Sequence, residues 1–228
     1  METPPAPVTL FLATRNAHKA GEIRAVLGEG LRHLTLNDFA DAPNVVEDAA
    51  SFAGNAAKKA SELAHWLAST DLSRFTFHLS RAFILADDSG LEVDALNGAP
   101  GVHSARFAAL DAATAGNSPD QDNNAKLLRL LKDVPAERRT ARFRCVIALA
   151  RISDQSSGGA TPELFEGSCE GRIGFAPRGQ GGFGYDPLFV PVGFEQTFAE
   201  LGPAAKNQLS HRARALKKLQ LRLNLPSV

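Results

Sequence analysis

The sequence has little of what would assign it to several common classes of protein. Its 228 residues include two cysteines, Cys145 and Cys169, which are too few for a disulfide framework and form no CxxC pair. No apolar stretch reaches about 18 residues, and prolines stand where a signal peptide has basic residues, so neither a membrane span nor an export signal is predicted. We therefore expect a protein of a reducing compartment, the cytoplasm.

An excess of positive charge is also missing. Lys and Arg together number 25, and Asp and Glu together number 25. A protein with this balance has no global positive field that would attract nucleic acid or an anionic membrane, so neither is predicted as a partner. A small anionic ligand stays possible, because it needs only a local basic cluster.

Three kinds of cofactor site are not predicted. The chain has no GxxxxGK[ST], which excludes a P-loop, and its six histidines show no HExxH spacing, which argues against zinc. Residues 179–184 (GQGGFG) do match GxGxxG, but Tyr185-Asp186-Pro187 and a predicted strand follow them. A dinucleotide fingerprint must open a helix, so a nicotinamide cofactor is not predicted.

The remaining pattern is that of a mixed α/β protein with one domain, residues 1–228. Apolar content is 44% and no linker divides the chain. Short apolar runs predict strands at 8–13, 31–36, 83–86, 141–151, 164–173 and 188–190. Helical spacing predicts a helix ending at Gly28 or Gly30, and others at 51–67, from Ser118-Pro119-Asp120-Gln121 through Leu131, and at 206–223. Residues 68–82 are predicted to be a loop or excursion.

The first candidate site is the turn Thr14-Arg15-Asn16-Ala17-His18-Lys19, which follows the first strand. Lys19 in a first helical turn opposes the helix dipole, but it becomes complementary once the turn binds a phosphate chain. The alternative is an N-cap Asn16 followed by a solvated lysine.

The second candidate is the pair Asp87-Asp88, predicted at the end of a strand. Adjacent carboxylates repel, so their presence beside apolar residues indicates a compensating cation. Oxygen ligands suit Mg²⁺, and a carboxylate there can take a proton from water. Glu47 is a possible further ligand. The alternatives are an acidic turn for the pair and a charge near a helix N-terminus for Glu47.

Two further candidates lie in the C-terminal third. In the glycine-rich loop, Phe183 and Tyr185 offer faces on which a base can stack, although a flexible hairpin loop fits equally well. In the last predicted helix, Arg212 falls on the apolar stripe and therefore needs an acceptor partner. Lys206 is expected at the start of that helix, and His211 about 100° around the helix from Arg212. The alternative is an arginine that extends past the edge of the core.

These motifs, in this order, resemble the inosine triphosphate pyrophosphatase family over nearly the whole chain. The segments that carry the resemblance are LATRNAHKAGEI, SFAGNAAKKA, ILADDSGLEVDALNGAPGVHSARF, FRCVIALA, GGFGYDPLF and KNQLSHRARAL. The resemblance implies Mg²⁺-dependent hydrolysis of ITP, dITP and XTP to the monophosphate and pyrophosphate. It also implies a long mixed β-sheet flanked by helices, two lobes with a central substrate cleft, and a homodimer.

The resemblance also implies roles for individual residues. It implies Glu47 and Asp88 as metal ligands, and Asp88, Asp87 and Lys19 as catalytic residues. Substrate contacts would come from Thr14, Arg15, Asn16, Lys19, Ser89, Phe183, Gly184, Tyr185, Asp186, Lys206, His211 and Arg212. Two positions depart from the family pattern. Arg15 stands where glycine is common, which either adds a phosphate contact or blocks part of the turn, and EDAASF at Glu47 lacks the usual glycine.

Two rival functions are kept. A Maf-like nucleotide pyrophosphatase is the nearest, and the Ser-His-Arg segment of the last helix argues against it. A nucleotide sensor without catalysis is the other, and it has little use for two carboxylates facing phosphates.

Overall fold

The computed structural model describes residues 8–28, 30–70, 81–112, 116–152 and 161–225. Its strands are β1 (Thr9–Leu12), β2 (Arg32–Thr35), β3 (Ala82–Val93), β4 (Thr140–Arg151), β5 (Glu163–Ile173) and β6 (Phe189–Pro191). Its helices are α1 (Ala17–Leu27), α2 (Phe52–Ala68), α3 (Ala109–Ala112), α4 (Asp120–Leu130), α5 (Phe198–Leu209) and α6 (His211–Leu223). The sheet has the order β2-β1-β3-β4-β5-β6, with β1 parallel to β2 and β3, and β5 antiparallel to β6. The predicted mixed α/β fold is confirmed.

The chain divides into two compact units. Unit 1 comprises residues 1–88, 146–165 and 216–228, and unit 2 comprises residues 89–145 and 166–215. Strands β3, β4 and β5 each continue from one unit into the other. Neither unit is therefore a single continuous stretch of chain, and the expected single domain over 1–228 stays a prediction.

In unit 1, α1 and α2 form from two different local signals. Asn16 caps α1, its side-chain oxygen accepting from the Lys19 N–H at 3.1 Å, and Gly28 ends that helix with φ 81°. Ser51 caps α2 by accepting from the Gly54 N–H. Apolar residues at helical spacing bury one face of α2, which is why this helix could be predicted closely from its sequence.

Strand β3 corrects the prediction that the acidic pair ends a strand. It runs from Ala82 to Val93, so Asp87 and Asp88 lie within it, 4% and 5% exposed. The strand continues because lysine and asparagine side chains from α1 and α2 compensate the two carboxylates. Those partners are remote in sequence, so no local pattern could show them.

The start of α4 also differs from the prediction. The helix begins at Asp120 with Pro119 at its N-cap, and no side chain caps it. Ser118, the predicted cap, has its hydroxyl accepting from the Ala109 N–H at 2.8 Å instead. A tertiary contact has replaced the local one.

The predicted last helix is two helices. Ser210 has extended geometry (φ −67°, ψ 161°) and separates α5 from α6. Its hydroxyl accepts from the Ala213 N–H, capping α6. Helix α5 is kinked at Gly202 (φ 77°, ψ 179°), and Lys206 lies after this kink in the last turn of α5. It is therefore not at the start of a continuous helix to Leu223, and His211 and Arg212 begin α6.

The core of unit 2 is rich in aromatic residues. Phe143 lies 4.6 Å from Phe189 between ring centroids, and Phe189 stacks on Phe198 at 5.4 Å. The predicted excursion falls mostly at residues 71–80, outside the described residues. Among the helices that are described, none has the length and apolar character needed to cross a membrane.

Candidate active site

In unit 1, two side-chain hydrogen bonds fix the turn between β1 and α1. The Thr14 hydroxyl accepts from the Asn16 N–H at 3.0 Å, and Asn16 caps α1. The N-terminal N–H groups of a helix can donate to an anion. Lys19 is not solvated as the alternative required, because its Nζ lies 2.7 Å from Oδ1 of Asp87.

Two residues of α2 join the acidic pair, and the sequence analysis missed both. Nδ2 of Asn55 donates to Oδ2 of Asp88 at 3.0 Å, and Nζ of Lys59 donates to the backbone oxygen of Asp87 at 2.6 Å. Asn55 and Lys59 are four residues apart on the buried face of α2. That spacing was the available signal, because polar side chains on an apolar stripe need buried partners.

Burial dominates the electrostatics of Asp88. Removal from water raises the pKa of Asp88 to about 6, and Glu47 adds to this, while Lys59, Lys19 and the Asn55 hydrogen bond oppose it. Near neutral pH the group is mostly ionised, yet it retains appreciable affinity for a proton. This is the property required of a general base.

Glu47 and Asp88 have the Lys59 ammonium as a shared neighbour. Nζ of Lys59 lies 2.7 Å from Oε1 of Glu47 and 4.0 Å from Oδ1 of Asp88, so a positive charge already contacts both carboxylates. Within the described residues, no group of three or more His, Cys, Asp and Glu is arranged to hold a metal. Two carboxylates suffice for Mg²⁺, which usually completes its coordination with waters and substrate phosphates.

Arg15 faces the segment that precedes Glu47. Its guanidinium donates to Oδ1 of Asn44 at 2.8 Å and to the backbone oxygen of Ala42 at 2.7 Å. These bonds tie the phosphate turn to the 42–44 segment, which is a use of Arg15 that neither sequence alternative described.

In unit 2, Lys206, Asp186 and Phe183 form one cluster. The Lys206 ammonium donates to Oδ2 of Asp186, and the same oxygen accepts from the Phe183 N–H at 2.9 Å. Nζ of Lys206 also lies 4.2 Å from the centroid of the Phe183 ring. Asp186 is 1% exposed, so it acts here by holding Lys206 and Phe183 together.

Arg212 and His211 extend this cluster. The Arg212 guanidinium, 2% exposed, donates to the Ser89 hydroxyl at 2.8 Å, which supplies the acceptor that its position on an apolar stripe demands. Its Cζ lies 6.0 Å from the Phe183 ring centroid. The His211 ring stacks on Phe143 at 4.8 Å with 15° between the planes.

The two aromatic residues of the glycine-rich loop have different environments. Tyr185 is buried in the core, where its hydroxyl donates to the backbone oxygen of Ser104 at 2.9 Å, so its ring is not presented as the stacking surface that we predicted. Phe183 is partly exposed. Gly182 lies against Asp186, and a Cβ at that position would fall 2.2 Å from the carboxylate oxygen.

Comparisons with known proteins give one consistent answer. The sequence profile of the Ham1 family matches residues 10–221. A dITP/XTP pyrophosphatase of Desulforamulus reducens is 48% identical over 218 residues, covering 94% of this chain and 95% of that protein. The HAM1 protein of Coxiella burnetii superimposes with a TM-score of 0.74 at 34% identity, covering 95% and 98% of the two chains. A structure from Mycobacterium abscessus, described as a nucleoside-triphosphatase and dITP/XTP pyrophosphatase, gives 0.67 at 39% identity, covering 92% and 98%.

Proposed function

This chain belongs to the Ham1 family, and from that membership we propose that it hydrolyses dITP, XTP and ITP to the monophosphate and pyrophosphate. Such an enzyme removes deaminated purine nucleotides from the nucleotide pool. In this proposal Lys19 contacts the phosphates, and Lys206, His211 and Arg212 recognise the base.

The observation that carries this proposal is the buried acidic pair with its lysines. Asp87 and Asp88 are almost completely removed from water, and Lys19 and Lys59 contact them. Burying charges is costly unless they are compensated, so a strand core alone gives no reason for them. A carboxylate able to accept a proton, beside cations able to bind phosphate, accounts for the arrangement.

In the proposed reaction, a water molecule attacks the phosphorus nearest the sugar. Its oxygen forms the new bond to phosphorus, the bond from that phosphorus to the bridging oxygen breaks, and pyrophosphate leaves with the bond's electron pair. Asp88 accepts the proton from the water. Lys19 donates to phosphate oxygens, which offsets the charge that develops on them. Glu47 and Asp88 would hold Mg²⁺, which supplies charge neutralisation for the phosphates when it is bound.

Base selection follows from hydrogen bonding. Hypoxanthine and xanthine carry an oxygen where adenine carries an amino group. The donors Lys206, His211 and Arg212 complement that oxygen and conflict with an amino group. Sites of this kind discriminate by roughly 10⁴-fold, because the wrong base leaves buried polar groups without partners.

The test combines one substitution with one panel of substrates. We expect Asp88→Asn to lower kcat by about 10²-fold or more with the circular dichroism spectrum unchanged, because the proton acceptor is lost. Asp48→Asn is the control, since that carboxylate pairs with Lys58 at the surface. Near-normal turnover by Asp88→Asn would eliminate the general-base role.

The panel is ITP, XTP, ATP and GTP, with released pyrophosphate measured for each. We expect turnover of ITP and XTP and little of ATP, because adenine lacks the oxygen to which Lys206, His211 and Arg212 donate. Guanine shares that oxygen, so we assign the expected low turnover of GTP to crowding at its 2-amino group. Orthophosphate as the first product would indicate a phosphatase, and tight binding without turnover in the presence of Mg²⁺ would indicate the sensor.

A homodimer and a cytoplasmic location complete the proposal. The family resemblance supports the dimer, and a substrate drawn from the cellular nucleotide pool supports the location. Light scattering coupled to gel filtration measures the mass in solution directly, and a monomer at enzyme-assay concentrations would remove the dimer from the proposal.

A further inference from the structure

Helix α4 holds one residue of the glycine-rich loop by both of its backbone groups. The Gly184 N–H donates to Oδ2 of Asp120 at 2.6 Å, and the Gly184 carbonyl accepts from Nδ2 of Asn124 at 2.9 Å. Asp120 and Asn124 are four residues apart, so they project from the same face of the helix.

This double contact lies at one of the loop's glycines with positive φ. Gly184 has φ +63°, in the left-handed region, and a Cβ there would meet no neighbour within 4 Å. Packing alone therefore does not restrain this position. Two hydrogen bonds from one rigid helix, one to each peptide unit that flanks the Gly184 Cα, restrict both its translation and its rotation.

The residue before Gly184 is Phe183, whose ring lies near Lys206 and Arg212, two of the three donors that we assign to the base. Its N–H is held by Asp186, and its ring lies 4.2 Å from Nζ of Lys206. The Phe183 carbonyl also accepts from the Asp186 N–H at 3.3 Å, so Asp186 contacts both backbone groups of Phe183. Helix α4 adds its two hydrogen bonds to the next residue.

We propose that Asp120 and Asn124 are positioning residues for base recognition: by holding Gly184 they set where the Phe183 ring lies relative to Lys206. The inference rests on the proposed function, because it assigns the Phe183 ring to the purine. It differs from a purely structural role, in which the two bonds would stabilise the fold without affecting the affinity for a base.

The experiment compares ligands that have a base with one that has none. In Asp120→Ala and in Asn124→Ala we expect KM for ITP and the inhibition constant of IMP each to rise about fivefold, the equivalent of one hydrogen bond. Inhibition by tripolyphosphate, which has no base, should be unchanged. We also expect kcat to stay within about twofold, because the groups that carry out the chemistry are untouched.

Two further variants separate positioning from stability. Asp120→Asn keeps an acceptor oxygen for the Gly184 N–H and should restore the wild-type IMP constant. Asp122→Ala removes another exposed carboxylate from the same helical turn and should leave every constant unchanged. Asp122→Ala therefore controls for the charge that Asp120→Ala removes near the N-terminus of α4.

The possible results are distinguishable. If Asp120→Ala and Asn124→Ala lower the melting temperature but leave the IMP constant as in wild type, the positioning role is wrong. The positioning role is also wrong if the inhibition constant of tripolyphosphate rises as much as that of IMP. If the wild-type enzyme turns over neither ITP nor XTP, the proposed function fails and this inference fails with it. If wild type turns over ITP or XTP but the variants have the wild-type KM and IMP inhibition constant, only this inference fails and the proposed function stands.

Discussion

At the scale of single residues, the burial of Asp88 lowers the stability of the fold. Asp88 is buried because its position in β3 requires it, and burial raises its pKa from 3.8 to about 6. The ionised Asp88 carboxylate therefore lowers the free energy of unfolding, because its burial is unfavourable. The same group in an unfolded chain is fully hydrated.

The sign of this effect gives a pH-dependent prediction. Between about pH 4 and pH 6 the folded state binds more protons than the unfolded state, so the stability that Asp88 contributes below this window is lost as pH rises through it. An asparagine side chain at this position does not titrate. We expect Asp88→Asn to be more stable than wild type by up to about 3 kcal/mol near pH 7.5, with little difference near pH 4. Urea unfolding without divalent cations at both pH values measures it, and a gap that widens towards acid would contradict it.

Arg15 gives a second prediction at this scale. It either holds the 42–44 segment through Asn44 or contacts a substrate phosphate, and the two roles predict different results. If it ties the phosphate turn to the 42–44 segment, Arg15→Ala and Asn44→Ala should each raise KM for ITP, and their effects should not add. We expect a coupling of about 0.5–1 kcal/mol in the double-mutant cycle. An additive cycle, with Asn44→Ala near wild type, would instead favour direct contact between Arg15 and phosphate.

At the scale of elements, the interruption at Ser210 decides which way the side chains proposed to recognise the base face. A continuous helix would place Lys206, His211 and Arg212 at rotations set by 3.6 residues per turn. The extended residue between α5 and α6 removes that constraint, and α6 begins with His211 and Arg212. Their placement depends on a hydrogen bond that the sequence pattern hides, because the apolar stripe continues through the break.

The capping role of Ser210 can be tested with substitutions that differ in how well they are tolerated at a helix N-cap. We expect Ser210→Ala to lower the free energy of unfolding by about 1 kcal/mol, and Ser210→Gly to lower it by only a few tenths, because glycine is tolerated at an N-cap. Chemical denaturation measures both. Equal losses for the two variants would indicate that packing at this buried position, and not the capping bond, is responsible.

At the scale of the whole molecule, the chain passes repeatedly between its two units. Because β3, β4 and β5 each contribute residues to both units, unfolding either unit disrupts strands of the other. We therefore expect one cooperative transition, as for a single domain.

The chain carries a natural probe in each unit. Trp66, its one tryptophan, lies in unit 1 in edge contact with Phe39, and both cysteines lie in unit 2. Burial raises the pKa of Cys169 to about 11, so the native thiol should react slowly until the unit unfolds. Tryptophan fluorescence and pulsed thiol labelling should give the same urea midpoint. Two separate midpoints would show two domains, contrary to the expected single one.

Some features of this protein follow from its sequence alone. Helix α2 could be located because its apolar stripe and Ser51 cap are local signals, and the order of strands and helices followed from similar short patterns. The acidic pair, the first-turn lysine and the arginine on an apolar stripe could each be identified as anomalies. Each is a charged side chain in a local environment that disfavours its charge. Such a residue can be recognised from the sequence before the side chain that compensates it is known.

Only the tertiary structure decided how those conflicts are resolved. It placed Lys19, Asn55 and Lys59 on the two acids, gave Arg212 the Ser89 hydroxyl, buried Tyr185, and turned Arg15 towards Asn44. The physical reason is that periodicity and capping depend on neighbours within a few residues, whereas the partner of a buried charge is supplied by whichever distant segment the fold brings to it.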